Sequence, residues 1–185
     1  MQDLSTGECL HVLEGHTDSV YSVAVTEDGL CVSGSDDNTL RVWDLSTGEC
    51  LHVLEGHTGS VNCVAVTEDG LCVSGAWDKT LRVWDLRTGK CLHVLKGHTR
   101  PVSCVVVSKD GRCVSGSDDR TLQVWDLHTG ECLDVWRSME VDVSGMDFSE
   151  ADLATPLLSK TLRQNRARVP EADSEKYARR EPGEA

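Results

Sequence analysis

The sequence has no apolar run that approaches the ~20 residues required for a membrane-spanning helix. It is also poor in positive charge, because residues 1–150 contain 11 Lys and Arg against 25 Asp and Glu, a net charge of −14. Residues 151–185 contain 7 and 6, a net charge of +1. Proteins that bind phosphate backbones present basic surfaces. We therefore expect neither a membrane nor a nucleic acid among the partners.

Motifs of catalysis are absent as well. The sequence contains no glycine-rich phosphate-binding loop, no His-Glu-x-x-His zinc motif and no pair of candidate catalytic carboxylates. We predict that the protein is not an enzyme and that it requires no cofactor.

Nine cysteines are present, an odd number, and neither a Cys-x-x-Cys motif nor a secretory signal accompanies them. This usage is typical of a reducing compartment, and we expect a cytoplasmic location. The cysteines recur at a spacing of 41 residues among Leu and Val, which predicts small buried apolar residues in strands. The sets related by this spacing are Cys9, Cys50, Cys91 and Cys132; Cys31, Cys72 and Cys113; and Cys63 and Cys104.

What the sequence does contain is a repeat of 41 residues. Residues Glu8–Gly48 are repeated by Glu49–Gly89 and again by Lys90–Gly130, and the first two copies are identical at 34 of 41 positions. A period near 40 indicates an array of small units that can bury their apolar faces only against one another.

Each repeat contains the pattern of four short strands. In the first copy these strands are predicted at Val20–Thr26, Leu30–Gly34, Thr39–Trp43 and Cys50–Leu54, separated by turns rich in Gly, Asp and Asn. The apolar periodicity of a helix is nearly absent from this region. The pattern predicts an all-β fold built from small four-stranded antiparallel sheets.

The arrangement of two dipeptides resembles that of the WD40 repeat family. A Gly-His pair is followed about 27 residues later by a Trp-Asp pair, three times in register. The resemblance implies a β-propeller with four-stranded blades at about 17–54, 58–95 and 99–136. The pairs are Gly15-His16 with Trp43-Asp44, Gly56-His57 with Trp84-Asp85, and Gly97-His98 with Trp125-Asp126.

The repeat pattern extends weakly beyond the three complete blades. We expect an orphan strand at 8–13, a degenerate strand at 143–149 and a disordered tail at 150–185, since these segments match the repeat only in part. Propellers have about 4–8 blades, so three complete blades leave the ring open. A degenerate fourth blade from residues 138–165 or a second copy of the chain, in a homo-oligomer, are the two ways of closing it.

Ser, His and Asp recur together in every repeat, each set with a Trp six residues after the Asp. A catalytic nucleophile is needed once in a site, whereas this set occurs once in each structural unit. By resemblance to the family, we interpret the sets as internal hydrogen-bond networks of the blades. Their members are His16, Ser33, Asp37 and Trp43; His57, Ser74, Asp78 and Trp84; and His98, Ser115, Asp119 and Trp125.

A Cys-Leu-His triplet also recurs, at Cys9, Cys50 and Cys91. Cys and His two residues apart share one face of a strand, but a metal site would need further ligands from a neighbour. We interpret the triplets as packing residues and predict no metal site.

The differences between the first two copies point to a binding surface. Six of the seven lie near the loop entering the first strand or in the turn between the second and third strands. These loops emerge on the same face of a propeller, which in the resembled family is the usual partner-binding face; relaxed constraint on loops is the alternative explanation. Trp77 stands where the other copies have Asp, and Trp is favoured at binding hot spots. The candidate partner-binding residues are Tyr21, Asp36, Asn62, Trp77, Ser103 and Asp118.

These observations predict a non-catalytic scaffold, of the kind found in signalling proteins, that presents a propeller face to a protein or peptide. Two alternatives remain open from the sequence. The chain could be a substrate-recruiting adaptor of a ubiquitin-ligase-type complex, or a truncated gene product without an independent function.

Overall fold

A computed structural model of the protein describes residues 9–137 of the 185-residue chain. This part of the chain forms twelve β-strands and no helix. Their β-branched and apolar sequences, such as VYSVAV in the first strand, suit a pleated and partly buried surface. In chain order the strands are β1 Val20–Val25, β2 Leu30–Ser35, β3 Leu40–Asp44, β4 Cys50–Leu54, β5 Val61–Val66, β6 Leu71–Ala76, β7 Thr80–Asp85, β8 Lys90–Lys96, β9 Val102–Val107, β10 Arg112–Ser117, β11 Thr121–Asp126 and β12 Cys132–Arg137.

Every four consecutive strands form one antiparallel sheet, in which neighbours in sequence are neighbours in space. We call β1–β4, β5–β8 and β9–β12 the first, second and third sheets. The turn between β1 and β2 is tight, and Gly29 adopts a φ of +89° there, in the left-handed region that favours glycine. The prediction of an all-β fold with three four-stranded antiparallel sheets is confirmed for residues 9–137.

Packing between the sheets creates the core. The first strand of each later sheet lies against the preceding sheet: β5 contacts β1 and β2, and β9 contacts β5 and β6. One apolar cluster, which includes Val32 and Val61, lies between the first and second sheets, and another, which includes Val73 and Val102, lies between the second and third. The core of each unit is therefore completed by its neighbour.

Glycine in the second strand of each sheet permits this close packing. A Cβ atom added to Gly34 would lie 2.6 Å from Cγ1 of Val61, and one added to Gly75 would lie 2.5 Å from Cγ1 of Val102. These distances are shorter than carbon atoms tolerate, so a valine of one sheet fits where the facing sheet lacks a side chain.

The predicted burial of the cysteines is correct for Cys31, Cys63, Cys72 and Cys113 and wrong for the other five. Burial raises the pKa of Cys63 and of Cys113 to about 12, which keeps these thiols protonated and unreactive. Those exposed are Cys9, Cys50, Cys91, Cys104 and Cys132.

Two features of the sheets explain four of the five exposed cysteines, all except Cys9. The fourth strand is the outer edge of each sheet, so the cysteines near its start, such as Cys50, face solvent. Cys104 corresponds to the buried Cys63, but within residues 9–137 no further sheet covers the third one.

The predicted orphan strand at 8–13 is wrong for its described part. Cys9 forms an isolated bridge, and residues 10–13 form no strand. In the three sheets, the fourth strand pairs with the third strand of its own sheet. Within the described residues no third strand precedes residue 9, so the segment lacks this partner.

The predictions for the C-terminal segment lie outside the described residues. They comprise a fourth blade from 138–165, a degenerate strand at 143–149 and a disordered tail at 150–185. In residues 9–137, no helix has the length and apolarity needed to cross a membrane.

The contact between Gly34 and Val61 provides a test of the sheet packing. We expect Gly34→Ala to lower the free energy of unfolding by about 1–3 kcal/mol, because the added methyl group overpacks the interface. Urea unfolding measures this change. In the double variant with Val61→Ala, the removed methyl groups make room, so the combined loss should be smaller than the sum of the single losses. Additive losses would show that the two positions are not in contact.

Candidate partner-binding face

Turns emerge at two opposite edges of each sheet, because its strands are antiparallel. The β2–β3 turn and the loop entering β1 lie together at one edge, which we call the upper edge. There the amide of Asp36 donates to the carbonyl oxygen of Ser19 at 2.9 Å, and the amide of Trp77 donates to that of Ser60 at 2.9 Å. In the third sheet, the amide of Asp118 donates to the carbonyl oxygen of Pro101 at 3.1 Å. The β1–β2 and β3–β4 turns lie at the opposite, lower edge.

A chain of hydrogen bonds fixes the upper edge to the interior of each sheet. In the second sheet, the Trp84 indole nitrogen lies 2.8 Å from Ser74 Oγ, which lies 2.8 Å from His57 Nε2. His57 Nδ1 lies 2.8 Å from Asp78 Oδ2. The other two sheets repeat these bonds at 2.7–2.9 Å. The structure thus brings together the four residues of each predicted network.

The direction of these bonds follows from the chemistry of the groups. An ionised carboxylate only accepts, so His57 Nδ1 carries the proton that it donates to Asp78. In the neutral imidazole Nε2 then accepts the Ser74 hydroxyl proton, and the indole of Trp84 donates to the same hydroxyl oxygen. Ser74 is fully buried, so its hydroxyl cannot reach a substrate. The arrangement therefore satisfies buried polar groups and does not form an accessible nucleophile.

The carboxylate of Asp78 is held in its charged form. Burial disfavours that charge, but hydrogen bonds from His57, from the Thr80 hydroxyl at 2.7 Å and from the Thr58 amide at 3.0 Å outweigh it and lower the pKa of Asp78. The pKa values of Asp37 and Asp119 are lowered by the equivalent bonds against the same opposing effect of burial.

Between the first and second sheets, the upper edge contains a cleft of about 470 Å³. Trp77 lines this cleft, and 61% of its surface is exposed. Its backbone amide is nevertheless held by the hydrogen bond to the carbonyl oxygen of Ser60. The exposed side chain of Tyr21 lines the cleft from the first sheet. Two aromatic side chains are thus open to solvent at one position. The lining residues are Tyr21, Asp36, Ser60, Asn62 and Trp77.

Asp36 connects the two sides of this cleft. Its carboxylate accepts a hydrogen bond from the Tyr21 hydroxyl at 3.2 Å and another from the Ser60 hydroxyl of the second sheet. The negative charge of Asp36 raises the pKa of Tyr21, so this hydroxyl stays protonated. Asn62 donates to the carbonyl oxygen of Val102 at 2.9 Å, which links the second and third sheets.

The six predicted partner-binding residues divide into two groups. Tyr21, Asp36, Asn62 and Trp77 line one cleft, whereas Ser103 and Asp118 lie on the third sheet outside it. Ser103 donates to the carbonyl oxygen of Gly116 at 3.1 Å, and Asp118 is exposed.

Sequence reasoning missed one lining residue, Ser60. The comparison of copies could not reveal it, because the first copy also has serine at this position, Ser19. Its place in the loop that enters β5, beside the Trp77 turn, is the signal that could have identified it.

The Cys-Leu-His triplets do not come together with further ligands. In residues 9–137, no group of three or more His, Cys, Asp or Glu side chains is placed to hold a metal ion. The Cys50 and Cys91 thiols instead contact backbone carbonyl oxygens of their own strands.

Comparison with known proteins decides the family. The family model described as "WD domain, G-beta repeat" (WD40) matches residues 7–44, 48–85 and 89–126, which together make up more than half of the chain. The chain belongs to the WD40 repeat family. Each matched segment covers most of one repeat, and members of the WD40 family are typically non-catalytic and generally bind proteins or peptides.

Two solved structures resemble this WD40 chain. They are a structure of U3-55K and a crystal structure of RRP9 WD40 repeats, each with a TM-score of 0.67 and 26% sequence identity. Each match covers 70% of this chain and 42% of the solved chain. Among curated proteins, Cell division control protein 4 of Candida albicans is 49% identical over 41 residues, which is 22% of this chain and 6% of that protein. The chain thus spans less than half the length of these relatives.

Replacement of one buried indole tests the hydrogen-bond network. We expect Trp84→Phe to lower the free energy of unfolding by about 1–3 kcal/mol, because it leaves Ser74 without its indole donor. Trp77→Phe is the matched control: its indole is exposed, so the change should stay within about 0.5 kcal/mol. Denaturant unfolding measures both. Equal effects of the two substitutions would contradict the network.

Acid unfolding tests the lowered carboxyl pKa values. An unfolded aspartate has a pKa of about 3.9, and the folded values lie below it. The ionised carboxylates therefore stabilise the fold above about pH 4, and this contribution is lost as the pH falls toward the folded pKa values. We expect the free energy of unfolding, measured in urea, to fall between about pH 5 and pH 2. The fall should be shallower in Asp78→Asn, and an identical fall in that variant would contradict the assignment.

Proposed function

We propose that this WD40 chain is a non-catalytic interaction module whose upper-edge cleft binds a segment of a partner protein. The observation that carries the proposal is Trp77, an exposed indole on an anchored backbone at a position where the other repeats have Asp. An indole left in water forgoes a large hydrophobic contribution, and Trp is among the residues that dominate binding interfaces.

The surroundings of Trp77 support a preformed site. The next residue, Asp78, belongs to the buried hydrogen-bond network, so the turn is held on one side. The Trp77 amide bond to Ser60 holds it on the other side. A partner would therefore meet a turn that is already ordered, and less conformational entropy would be lost on binding.

Clefts exist at the lower edge as well, but they recur between sheets. One of about 690 Å³ lies between the first and second sheets, and one of about 430 Å³ lies between the second and third. Both are lined by the turns that join the first and second strands of adjacent sheets, which indicates a consequence of how the sheets adjoin. Four of the five residues that line the upper cleft stand at positions where the first two copies differ, and this distinction favours it as the binding site.

The lining of the upper cleft favours a basic side chain from the partner. Tyr21 and Trp77 offer aromatic faces, Asp36 carries a negative charge, and none of the described residues that line the cleft is Lys or Arg. Cations bind favourably over aromatic rings, and an Arg or Lys of the partner would also be attracted by the negative charge of Asp36. The adaptor and truncated-product alternatives, and the cytoplasmic location, remain predictions.

Selection of peptides on the purified chain tests the proposal. Peptides from a random library displayed on phage are enriched on immobilised protein, and the affinity of the best binder is measured by fluorescence polarisation. We expect enriched peptides to contain Arg or Lys, and Trp77→Ala to weaken binding by about 30-fold, in the range of an interface hot spot. Leu51→Ala, an exposed lower-edge position, is the matched control and should bind as the unaltered chain does. Unchanged affinity in Trp77→Ala would rule out the upper cleft.

A further inference from the structure

We propose that the third sheet carries a second binding pocket, which accepts an acidic side chain from a peptide segment of a partner protein. The pocket has a volume of about 370 Å³ and lies at the upper edge, between the start of β11, the end of β12 and the loop that enters β9. It shares no lining residue with the cleft around Trp77, so the inference does not rest on the proposed function.

The pocket opens on the side of the third sheet that adjoins the second. Gln123 lines it, and Trp125, two residues further along β11 and therefore on the same side, packs in the apolar cluster between the second and third sheets. On β12, Val135 and Arg137 pair with Gln123 and Thr121 and share this side. The pocket is therefore independent of the other, uncovered side of the third sheet.

Gln123 makes room for the pocket, because the other two copies have arginine at this position, Arg41 and Arg82. The Arg82 guanidinium lies over the Trp84 ring, 5.8 Å from its centroid, and donates to the carbonyl oxygen of Gly56 at 2.7 Å. A glutamine side chain is shorter and uncharged, so it fills the corresponding space of the third sheet only in part.

The side-chain amide of Gln123 favours a peptide as the ligand. Gln123 is only 4% exposed, and its Oε1 atom is buried without a hydrogen-bond donor among the described residues. An amide oxygen left in this way is costly, and native structures usually satisfy it. A bound peptide brings a donor with each backbone N–H, whereas a free carboxylate only accepts.

Two arginines give the pocket its positive charge. Arg120 in the β10–β11 turn and Arg137 at the end of β12 line it, and none of the ion pairs within residues 9–137 includes either of them. Asp119 also lines the pocket, but its carboxylate already accepts hydrogen bonds from His98 and Thr121. A carboxylate of a partner would therefore be attracted by two guanidinium groups that have no acidic partner among the described residues.

The charge at these two positions changes along the chain. Where the third copy has Arg120 and Arg137, the first copy has Asn38 and Glu55, and the second has lysine at both positions. Arg120 has a φ of +66°, in the left-handed region where asparagine is enriched, and Asn38 takes nearly the same conformation at +67°. Backbone geometry therefore does not account for arginine in this turn, whereas a negatively charged ligand does.

A basic side chain is the alternative occupant, since its charge would stand where the Arg82 guanidinium stands in the second sheet. It would meet Arg120 and Arg137, whose like charges oppose its entry. The acidic occupant is therefore favoured.

Peptide selection on the full chain tests the pocket. A random library displayed on phage is enriched on immobilised Trp77→Ala chain, in which the upper cleft lacks its indole, and the affinity of the best peptide is measured by fluorescence polarisation. We expect the enriched peptides to contain Asp or Glu. A selection that enriches no acidic peptide would overturn this inference, while the proposed function is decided separately by the basic peptides selected on the unaltered chain.

Substitutions taken from the other copies test where the acidic peptide binds. In the Trp77→Ala chain, Gln123→Arg should weaken binding by more than about tenfold, because the longer side chain fills the pocket. Arg120→Asn and Arg137→Glu should each weaken it by about threefold or more, since each removes an attracting charge. The three new residues occur at the equivalent positions of the first copy, so unfolding in urea should be little changed.

His128→Arg is the matched control for charge. It adds the same positive charge as Gln123→Arg, but at the lower edge, where the second copy has Arg87. This variant should bind the acidic peptide at least as tightly as the Trp77→Ala chain does. If Gln123→Arg bound it equally tightly, attraction by overall charge would account for binding, and the pocket would be overturned as the site.

Discussion

The structure depends on one constraint: a four-stranded sheet of this size cannot bury its own apolar faces. Each sheet is completed by the next, through a valine of the first strand that lies on a glycine of the facing sheet, as Val61 lies on Gly34. Repetition of the sequence satisfies this constraint, because every copy carries both the valine and the glycine. The same constraint makes the outer sheets incomplete within residues 9–137, and it explains why their exposed positions are those that are buried elsewhere.

The hydrogen-bond network extends this constraint to the upper edge. It runs from an indole on the third strand, through a serine on the second, to a histidine and an aspartate in the edge loops. Buried polar groups are thereby satisfied, and the loops are fixed to the rigid interior. Trp77 directly precedes the networked Asp78. A surface position can therefore change its side chain while the backbone beneath it stays fixed, which suits a module that varies its recognition surface without altering its fold.

Most of the fold could be predicted from the sequence because the signals are local and repeated. The strands and turns follow from β-branched runs and from glycine and aspartate, and the network residues share one spacing. The predictions that were wrong depend on contacts with neighbouring strands and sheets, which the local sequence does not determine. Cys104 has a sequence context similar to that of Cys63, but its burial depends on the presence of a following sheet. The strand predicted at 8–13 needed a partner strand, which its own sequence does not supply. Ser60 was not predicted as a lining residue of the cleft, because comparison of the copies detects only positions that differ.

The upper cleft and the uncovered faces of the outer sheets lie at separate places in residues 9–137. The upper cleft is formed by the first two sheets, whose mutual contact is complete within the described residues, and Asp36 joins its two sides through Tyr21 and Ser60. The uncovered faces lie on the outer sides of the first and third sheets, and they are lined by different residues, such as Val23 and Leu122. Whatever covers those faces would stabilise the sheets as units without supplying any lining residue of the cleft. The proposed binding surface therefore belongs to one pair of adjacent repeats, at positions where the second repeat differs from the first.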